Sequence, residues 1–582
     1  MSINDPQPND PQLYFAEDGA PRSARFGDIY YSLQDGLSEA RAVFLNGCHL
    51  PQAWQDRDDF TVLELGFGTG LNIIALLQMW ADHRPANGHL HVFSIEGFLM
   101  PRQDAARALA AWPELDPFAA AVLAQWPKAR KGFHHMDFPQ WGVTVTLALM
   151  AVDDALDAWD GQADAVFLDG FSPALNPDMW SEAVFNRVAA HCAEGARLAT
   201  FTVAGFVRRG LASAGLTVSK CPGFGRKRER LEAVFTAGHA RSRRRPRRIA
   251  IVGAGIAGCA LAYQTRLFGL SADLFDTEMV GAGASGNAAA LVTPRLDAGD
   301  NAISALFADA YAYAGALYRD LCPQAILGEG LSQCASGPRD TSRFERIRRQ
   351  SIFPEGELSL FVQGEDDDVP DQDGIRLAGA LWLRPEAVLD ALRSAQDVRK
   401  ASWPDPCFDA YDAVILACGD GIFDILEHHS LQPVRGQVEW APGIKGPERA
   451  LSWGGYAIPL NEGLVFGATH ERDDRGREVR DADRTRNIDN LARIMPAQAA
   501  EMDRDRLMSR ASIRVMTRDY LPAMGEVRPR LYVLTGLGAR GFCLAPLLAR
   551  ALLADICGWP SPLPVAAKKI LNIARLIADQ PA

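Results

Sequence analysis

Two stretches of this 582-residue chain place glycines where a strand hands over to a helix, and each is followed one strand later by an acid. The first, Thr61–Asn72, reads TVLELGFGTGLN: an apolar run, then Glu64, Gly66, Gly68, Gly70 and Asn72. Glycines there let the backbone turn sharply and approach a ligand with no Cβ in the way. No Gly-Lys-Ser/Thr follows, so this is not a P-loop. The next strand ends Ser94-Ile95-Glu96. An acid at that place accepts ribose hydroxyls; the plain alternative is a structural turn and a surface glutamate. The second stretch, Arg248–Ala262, reads RIAIVGAGIAGCALA and spaces Gly253, Gly255 and Gly258 as G-x-G-x-x-G, with Asp276 ending the following strand. That is the dinucleotide fingerprint in a strand–turn–helix context. Its glycines make room for a pyrophosphate at the helix start, where N–H groups and the helix dipole favour anions. Asp276 is expected to accept a ribose hydroxyl.

Further residues add chemistry to each stretch. Asp169, in FLDGFSP (Phe167–Pro173), follows another strand and belongs at the carboxyl edge of a sheet, where ligands bind in open α/β folds. There it is expected to hydrogen-bond an amine and take its proton; a helix N-cap is the alternative. In the second half, Gly281-x-Gly283-x-Ser285-Gly286-Asn287 sets small residues and donors near a phosphate or a flavin ring. Gly536-x-Gly538-x-x-Gly541 precedes an apolar helix whose end is expected to face flavin carbonyls. A site built from both ends of one unit suits a flavoprotein; a simple NAD dehydrogenase does not need the late element. Arg514 and Arg540 are candidates for clamping a substrate carboxylate, because guanidinium pairs bidentately with it; surface arginines with acidic neighbours are the alternative. The first glycine turn resembles motif I of class I S-adenosylmethionine-dependent methyltransferases. Methyl transfer needs a nitrogen lone pair aimed at the sulfonium methyl, so positioning dominates that chemistry.

The elements that must hold these residues fall into two units. Apolar runs at 90–95, 165–168, 197–201 and 232–235 alternate with helical patterns at 103–112 and 181–194. This predicts a mostly parallel sheet with helices on both faces. The first unit is expected to span 1–238 and the second 248–582, joined by the basic linker 239–247. In the second, an acidic loop at 365–371, a strand ending at a tight turn at 412–419 and a late strand with its glycine-rich turn at 531–542 suggest a nucleotide fold interrupted by a mixed-sheet substrate subdomain. Composition is 48% hydrophobic and 23% charged, which excludes a mostly disordered chain. No signal peptide or membrane span is expected, which places the protein in the cytoplasm. Ten dispersed cysteines form no CxxC pair, so no metal site is expected. The oligomeric state stays open, with a monomer favoured.

Several longer stretches agree in order with one family: FGDIYYSLQDGLSEARAVFLNG (Phe26–Gly47), ELGFGTGLN (Glu64–Asn72), LDGFSPALNPDMW (Leu168–Trp180) and GFGRKRE (Gly223–Glu229) in the first half, then GAGIAG, GASGN, PVRGQV, TRDYLPAMG and GLGARGF. On these the chain resembles, over nearly its whole length, the bifunctional tRNA 5-methylaminomethyl-2-thiouridine biosynthesis proteins. The resemblance implies a class I methyltransferase Rossmann-like domain fused to a glycine-oxidase/D-amino-acid-oxidase-like FAD domain. It also implies noncovalent FAD, S-adenosylmethionine as methyl donor and tRNA with a modified wobble uridine as substrate. FAD-dependent oxidation would remove the carboxymethyl group, hydrolysis of the imine releasing glyoxylate, and N-methylation of the aminomethyl product would follow. Tyr30, in the family-like opening, is expected to accompany Asp169. Two departures stand out: Ala288-Ala289-Ala290 where the family usually carries a glycine, and Met150-Ala151 where it tends to have Gly-Asp.

The net charge of −12 excludes a basic protein, so RNA must meet a local patch. The window Arg226–Arg248 holds ten basic residues against Glu229 and Glu232, and is expected to supply it; a solvated linker is the alternative. DNA and membranes are not expected partners. Three rival readings remain: a fused methyltransferase and amine oxidase for a free amino-acid-like metabolite, a scaffold with decayed catalysis, and an NAD(P)-linked dehydrogenase fused to a methyltransferase.

Overall fold

The computed structural model describes residues 12–17, 19–31, 35–225, 227–237, 245–299, 301–369, 371–394, 396–426 and 430–577. The chain divides into two compact units: Met1–Arg243 with Gly558–Val565, and Arg244–Cys557 with Ala566–Ala582.

The first unit is built on an eight-stranded sheet. Its centre is five parallel strands in the order Cys192–Thr200, Ala163–Leu168, Asp59–Leu65, His89–Glu96 and Val143–Leu149. Antiparallel strands close both edges: Gly132–Phe138 on one side, Glu229–Phe235 and Leu216–Pro222 on the other. Every residue of Asp59–Leu65 is buried, as a strand covered on both faces requires. One face packs Ile74, Leu77 and Trp80 of helix Leu71–His83 against Trp54 and Val62. The other packs Val184 and Val188 of helix Glu182–Ala190 and Leu211 of helix Gly205–Ser213 against Leu63 and Val166. The helix expected to reach residue 194 stops at Ala190. His191 follows it, bonding by its two ring nitrogens to the carbonyls of Gly161 and Leu156, each at 2.9 Å, and Cys192 already begins a strand.

The second unit has two sheets. Five parallel strands, Val398–Lys400, Ala272–Asp276, Ile249–Val252, Ala413–Leu416 and Leu531–Thr535, carry the dinucleotide turn, with Ala523–Arg528 antiparallel at the edge. The connection from Ala413–Leu416 to Leu531–Thr535 contains much of a ten-stranded mixed sheet, so the nucleotide fold is interrupted as expected. In that sheet the long strands Leu431–Pro442 and Met508–Thr517 pair antiparallel over ten residue pairs. The acidic stretch at 365–371 is more than a solvated loop. Asp366 is buried, accepting a hydrogen bond from Ser332 Oγ at 2.8 Å and pairing with Arg376 at 3.1 Å. No helix among the described residues is long and apolar enough to cross a membrane.

Candidate active sites

In the first unit, three neighbouring parallel strands end in acids at one edge. Glu64 lies at the end of Asp59–Leu65, Glu96 closes His89–Glu96, and Asp169 follows Ala163–Leu168. The chain leaves Asp59–Leu65 toward neighbours on both sides, which makes this edge a topological switch point. Gly66, Gly68 and Gly70 have φ of +91°, +54° and +79°, values that L side chains rarely adopt. A Cβ on Gly66 would come 3.0 Å from the backbone of Gly170, so the absence of a side chain at Gly66 lets the two loops approach. Glu96 braces the turn, accepting hydrogen bonds from the N–H groups of Gly68 at 2.9 Å and Phe98 at 2.7 Å. Asn72, in the first turn of its helix, donates to Asp169 Oδ2 at 2.8 Å.

Burial controls the protonation of this edge. Glu64 is fully buried, and burial pushes its carboxyl up to about 8 despite a 2.5 Å hydrogen bond from Ser94. Its Oε1 has no hydrogen-bond partner. Asp169 is half-buried and raised to about 6, again chiefly by burial, with hydrogen bonds from Gly170 and Asn72 opposing the rise. Glu96 is raised by burial too. Asp169 therefore takes up and releases its proton closer to neutrality than a free carboxyl does. Tyr30 stands beside the turn, its ring 3.3 Å from where a Gly68 Cβ would lie and edge-on to Phe171 at 5.1 Å. The Glu64 oxygen without a hydrogen-bond partner, the Cβ-free cradle and the carboxyl of Asp169 fit a cationic sulfonium nucleoside.

In the second unit a cavity of about 600 Å³ runs along the glycine turn. Gly253, Gly255, Asp276, Ser285, Asn287, Gly538, Gly541, Arg514 and Arg540 all line it. Gly258 and Gly286 do not, and their role is contact. A Cβ on Gly258 would lie 1.7 Å from the Gly253 carbonyl oxygen, and one on Gly286 2.2 Å from that of Gly281. Asp276 accepts from Ala254 N at 2.6 Å and Glu278 N at 2.9 Å, which leaves lone pairs for a hydroxyl. Ser285 Oγ accepts from Ile256 N at 3.0 Å. Arg514 donates to the Thr469 carbonyl at 2.8 Å, and a Cβ on Gly436 would collide with its guanidinium. Arg540 Nε is buried with no hydrogen-bond partner. Burial lowers both arginines from their ordinary value, yet both remain cations, and a carboxylate entering the cavity would relieve them. The Cβ-free turn, the acid at the second strand and the unmatched guanidinium fit an FAD with an anionic substrate beside it.

Residues that the sequence reading left without a role also contribute. Ser94 supplies the hydrogen bond to Glu64, and Asp28 accepts from Ser172 N at 2.8 Å, fastening the loop after Asp169. Ser94 stands two residues before Glu96 and was legible; Asp28 carries no local signal. The departures fit: Ala288–Ala290 have no positive φ, Ala289 is buried, and Met150 N reaches the Glu96 carbonyl at 3.1 Å. In the basic window, Lys227 pairs with Glu39 at 2.8 Å, Arg230 with Glu232 at 2.5 Å and Arg248 with Asp273 at 3.1 Å. Arg226, Arg241, Arg243 and Arg244 lie outside the described residues.

Known proteins match both halves. A family described as S-adenosyl-L-methionine-dependent methyltransferase matches residues 113–236, and the FAD dependent oxidoreductase family matches 248–556. The tRNA 5-methylaminomethyl-2-thiouridine biosynthesis bifunctional protein MnmC of Caulobacter sp. (strain K31) is 48% identical over 576 residues, covering 95% of each chain. The protein of the same name from Maricaulis maris (strain MCS10) is 38% identical over 94% of this chain and 93% of its own. Among solved structures, glycine oxidase from Geobacillus kaustophilus aligns with 54% of this chain and 95% of its own at 21% identity and a TM-score of 0.45.

Proposed function

Because this chain belongs to the MnmC family, in which a methyltransferase is fused to an FAD-dependent oxidoreductase, we propose that it performs two consecutive steps on the wobble uridine of tRNA. In the second unit, a 5-carboxymethylaminomethyl group gives up a hydride from carbon and a proton from nitrogen across its C–N bond. The imine takes up water and splits into glyoxylate and a 5-aminomethyl group. FAD, when bound, supplies the acceptor for the hydride. Arg514 and Arg540 hold the carboxylate, so the carbon between it and the nitrogen faces the ring. Neither arginine moves a proton. Asp276 and the turn at Gly253–Gly255 hold the nucleotide portion, and Ser285 and Asn287 fix the loop beside it.

In the first unit, the new primary amine receives the methyl group of S-adenosylmethionine, giving 5-methylaminomethyluridine. Asp169 accepts the amine proton, Asn72 keeps that carboxylate in place, and Glu96 takes the ribose hydroxyls. Tyr30 flanks the amine. The observation that carries this reading is the partnership of a base raised to about 6 with a separate guanidinium-lined cavity, in a chain matched end to end by the family. The protein then works in the cytoplasm, where tRNA is. Its RNA contact is the basic window Arg226–Arg248, in which ten basic residues stand against Glu229 and Glu232.

The test uses tRNA bearing the carboxymethylaminomethyl nucleoside and FAD-loaded protein. Mass analysis of the wobble nucleoside should show the aminomethyl form without S-adenosylmethionine and the methylaminomethyl form with it. Unchanged tRNA alongside oxidation of free N-carboxymethyl amines would favour the metabolite reading.

A further inference from the structure

Arg510 sits on strand Met508–Thr517, four residues before Arg514, so the two side chains leave the same face of the strand. Its guanidinium makes four hydrogen bonds, all to one loop. Nη1 donates to Asn287 Oδ1 at 2.9 Å, and Nη2 donates to the carbonyls of Gly281, Ala282 and Gly283 at 3.4, 2.7 and 2.6 Å. None of these acceptors is a carboxylate, so the cation is held by dipoles alone. Burial, with Arg477 nearby as a lesser cause, lowers its tendency to hold its proton, but arginine stays charged. Keeping a cation half-buried without an anion is costly, and the arrangement persists only where the geometry or the charge is used.

The loop it grips does two things. Ala282, Gly283, Ser285 and Asn287 line the cavity, and Ser285 Oγ receives Ile256 N–H at the start of the dinucleotide helix. Gly286 lets the loop fold this tightly, since a Cβ there would lie 2.2 Å from the Gly281 carbonyl oxygen and 3.1 Å from Arg510 Nη2. A continuous set of contacts therefore runs from the strand that carries Arg514, through Arg510, to the loop, and through Ser285 to the helix behind the glycine turn.

We propose that Arg510 is a positioning residue which locks the Gly281–Asn287 loop against the bound flavin, and so fixes the flavin relative to the carboxylate clamp on its own strand. The proposal rests on the reading that this cavity holds FAD. The guanidinium ties back the carbonyls of Gly281, Ala282 and Gly283 and the side chain of Asn287, which holds the loop in one conformation beside the cavity. The trapped positive charge also favours the dinucleotide's anionic groups. Losing a charge-assisted set of this kind weakens binding by about 10- to 100-fold.

The test measures FAD affinity of full-length protein by flavin fluorescence, together with the flavin absorbance spectrum and the melting temperature with and without FAD. Arg510→Gln and Arg510→Lys should each lose about 10-fold or more in FAD affinity, shift the flavin absorbance bands and shrink the melting-temperature gain on adding FAD. The apoprotein should melt near the parent's temperature, and methyl transfer to a supplied aminomethyl tRNA should be unchanged. A purely structural role would instead lower the apoprotein's melting temperature and leave the FAD-induced gain intact. Parent-like FAD affinity and spectrum in both variants would overturn the proposal. Failure of the parent itself to bind FAD would overturn the reading beneath it. Should Arg510→Gln not fold, Arg510→Lys, which keeps the charge and loses the planar fork, decides alone by the same measurements.

Discussion

At the turn after Leu65 all three motif glycines hold positive φ, whereas at the turn after Val252 only Gly253 does, at +113°. Gly255 is extended at φ −84°, and Gly258 is helical, pressed against the Gly253 carbonyl. The two acids act alike, each accepting N–H groups from the turn: Glu96 from Gly68, Asp276 from Ala254. Two similar but unequal glycine spacings, G-x-G-x-G and G-x-G-x-x-G, thus serve two needs. In the first unit the backbone must pass through left-handed conformations; in the second it must come close to its neighbours and to a ligand. The first turn is intolerant of any side chain through strain, the second mostly through collision.

The largest effect should come from collision. Gly255→Trp fills the cavity beside Ser285, whose Oγ a Cβ would already approach to 3.1 Å, and flavin content and oxidation should fall to background while methyl transfer persists. Full flavin occupancy in that variant would place the cofactor elsewhere. Next comes Asp169→Ala, which should slow methyl transfer on the order of 10² to 10⁴-fold and spare oxidation. In the parent, methyl transfer should rise with pH through about 6 as Asp169 loses its proton, and that limb should vanish in the variant. A limb that survives belongs to another group. Arg540→Ala and Arg514→Ala should each cost about 10- to 100-fold in kcat/KM for the carboxymethyl substrate. Methylation of an aminomethyl substrate should not change, and normal oxidation in both would move the clamp. The smallest change is expected from Arg241, Arg243, Arg244 and Arg245 replaced by Gln. Weaker tRNA binding should come with a shallower salt dependence, by roughly 0.7 to 0.9 for each phosphate that is no longer neutralised. An identical slope would remove this segment from the RNA footprint.

What could be read in the sequence was whatever is written locally. Gly66, Gly68 and Gly70 followed by Glu96, and Gly253 followed by Asp276, are close along the chain, and strand periodicity places them at sheet ends. Asp169 was legible because it directly follows an apolar run. Arg514 and Arg540 could be named as cations of suitable chemistry, but only folding brings both to one cavity. Residues acting across long separations left no trace. Arg510 meets Asn287 across 223 residues, Lys227 meets Glu39 across 188, and Asp28 meets Ser172 across 144. The same blindness hid Gly558–Val565, which groups with the first unit although it lies near the end of the chain. Helix ends also escaped: the pattern through 194 ran past His191, whose ring bonds to two carbonyls outside its own helix and marks the boundary.

The three acids at the sheet edge of the first unit would couple the uptake of a cation there to proton release. Glu64, Glu96 and Asp169 all favour their protonated forms more than free carboxyls do. A sulfonium bound beside them would draw those pKa values down, and its binding should then release protons into the buffer. The demethylated product, a neutral thioether, would lack that attraction and leave the acids closer to their unliganded protonation. Calorimetric titrations in buffers of different ionisation enthalpy should give buffer-dependent heats for S-adenosylmethionine and smaller differences for its demethylated product.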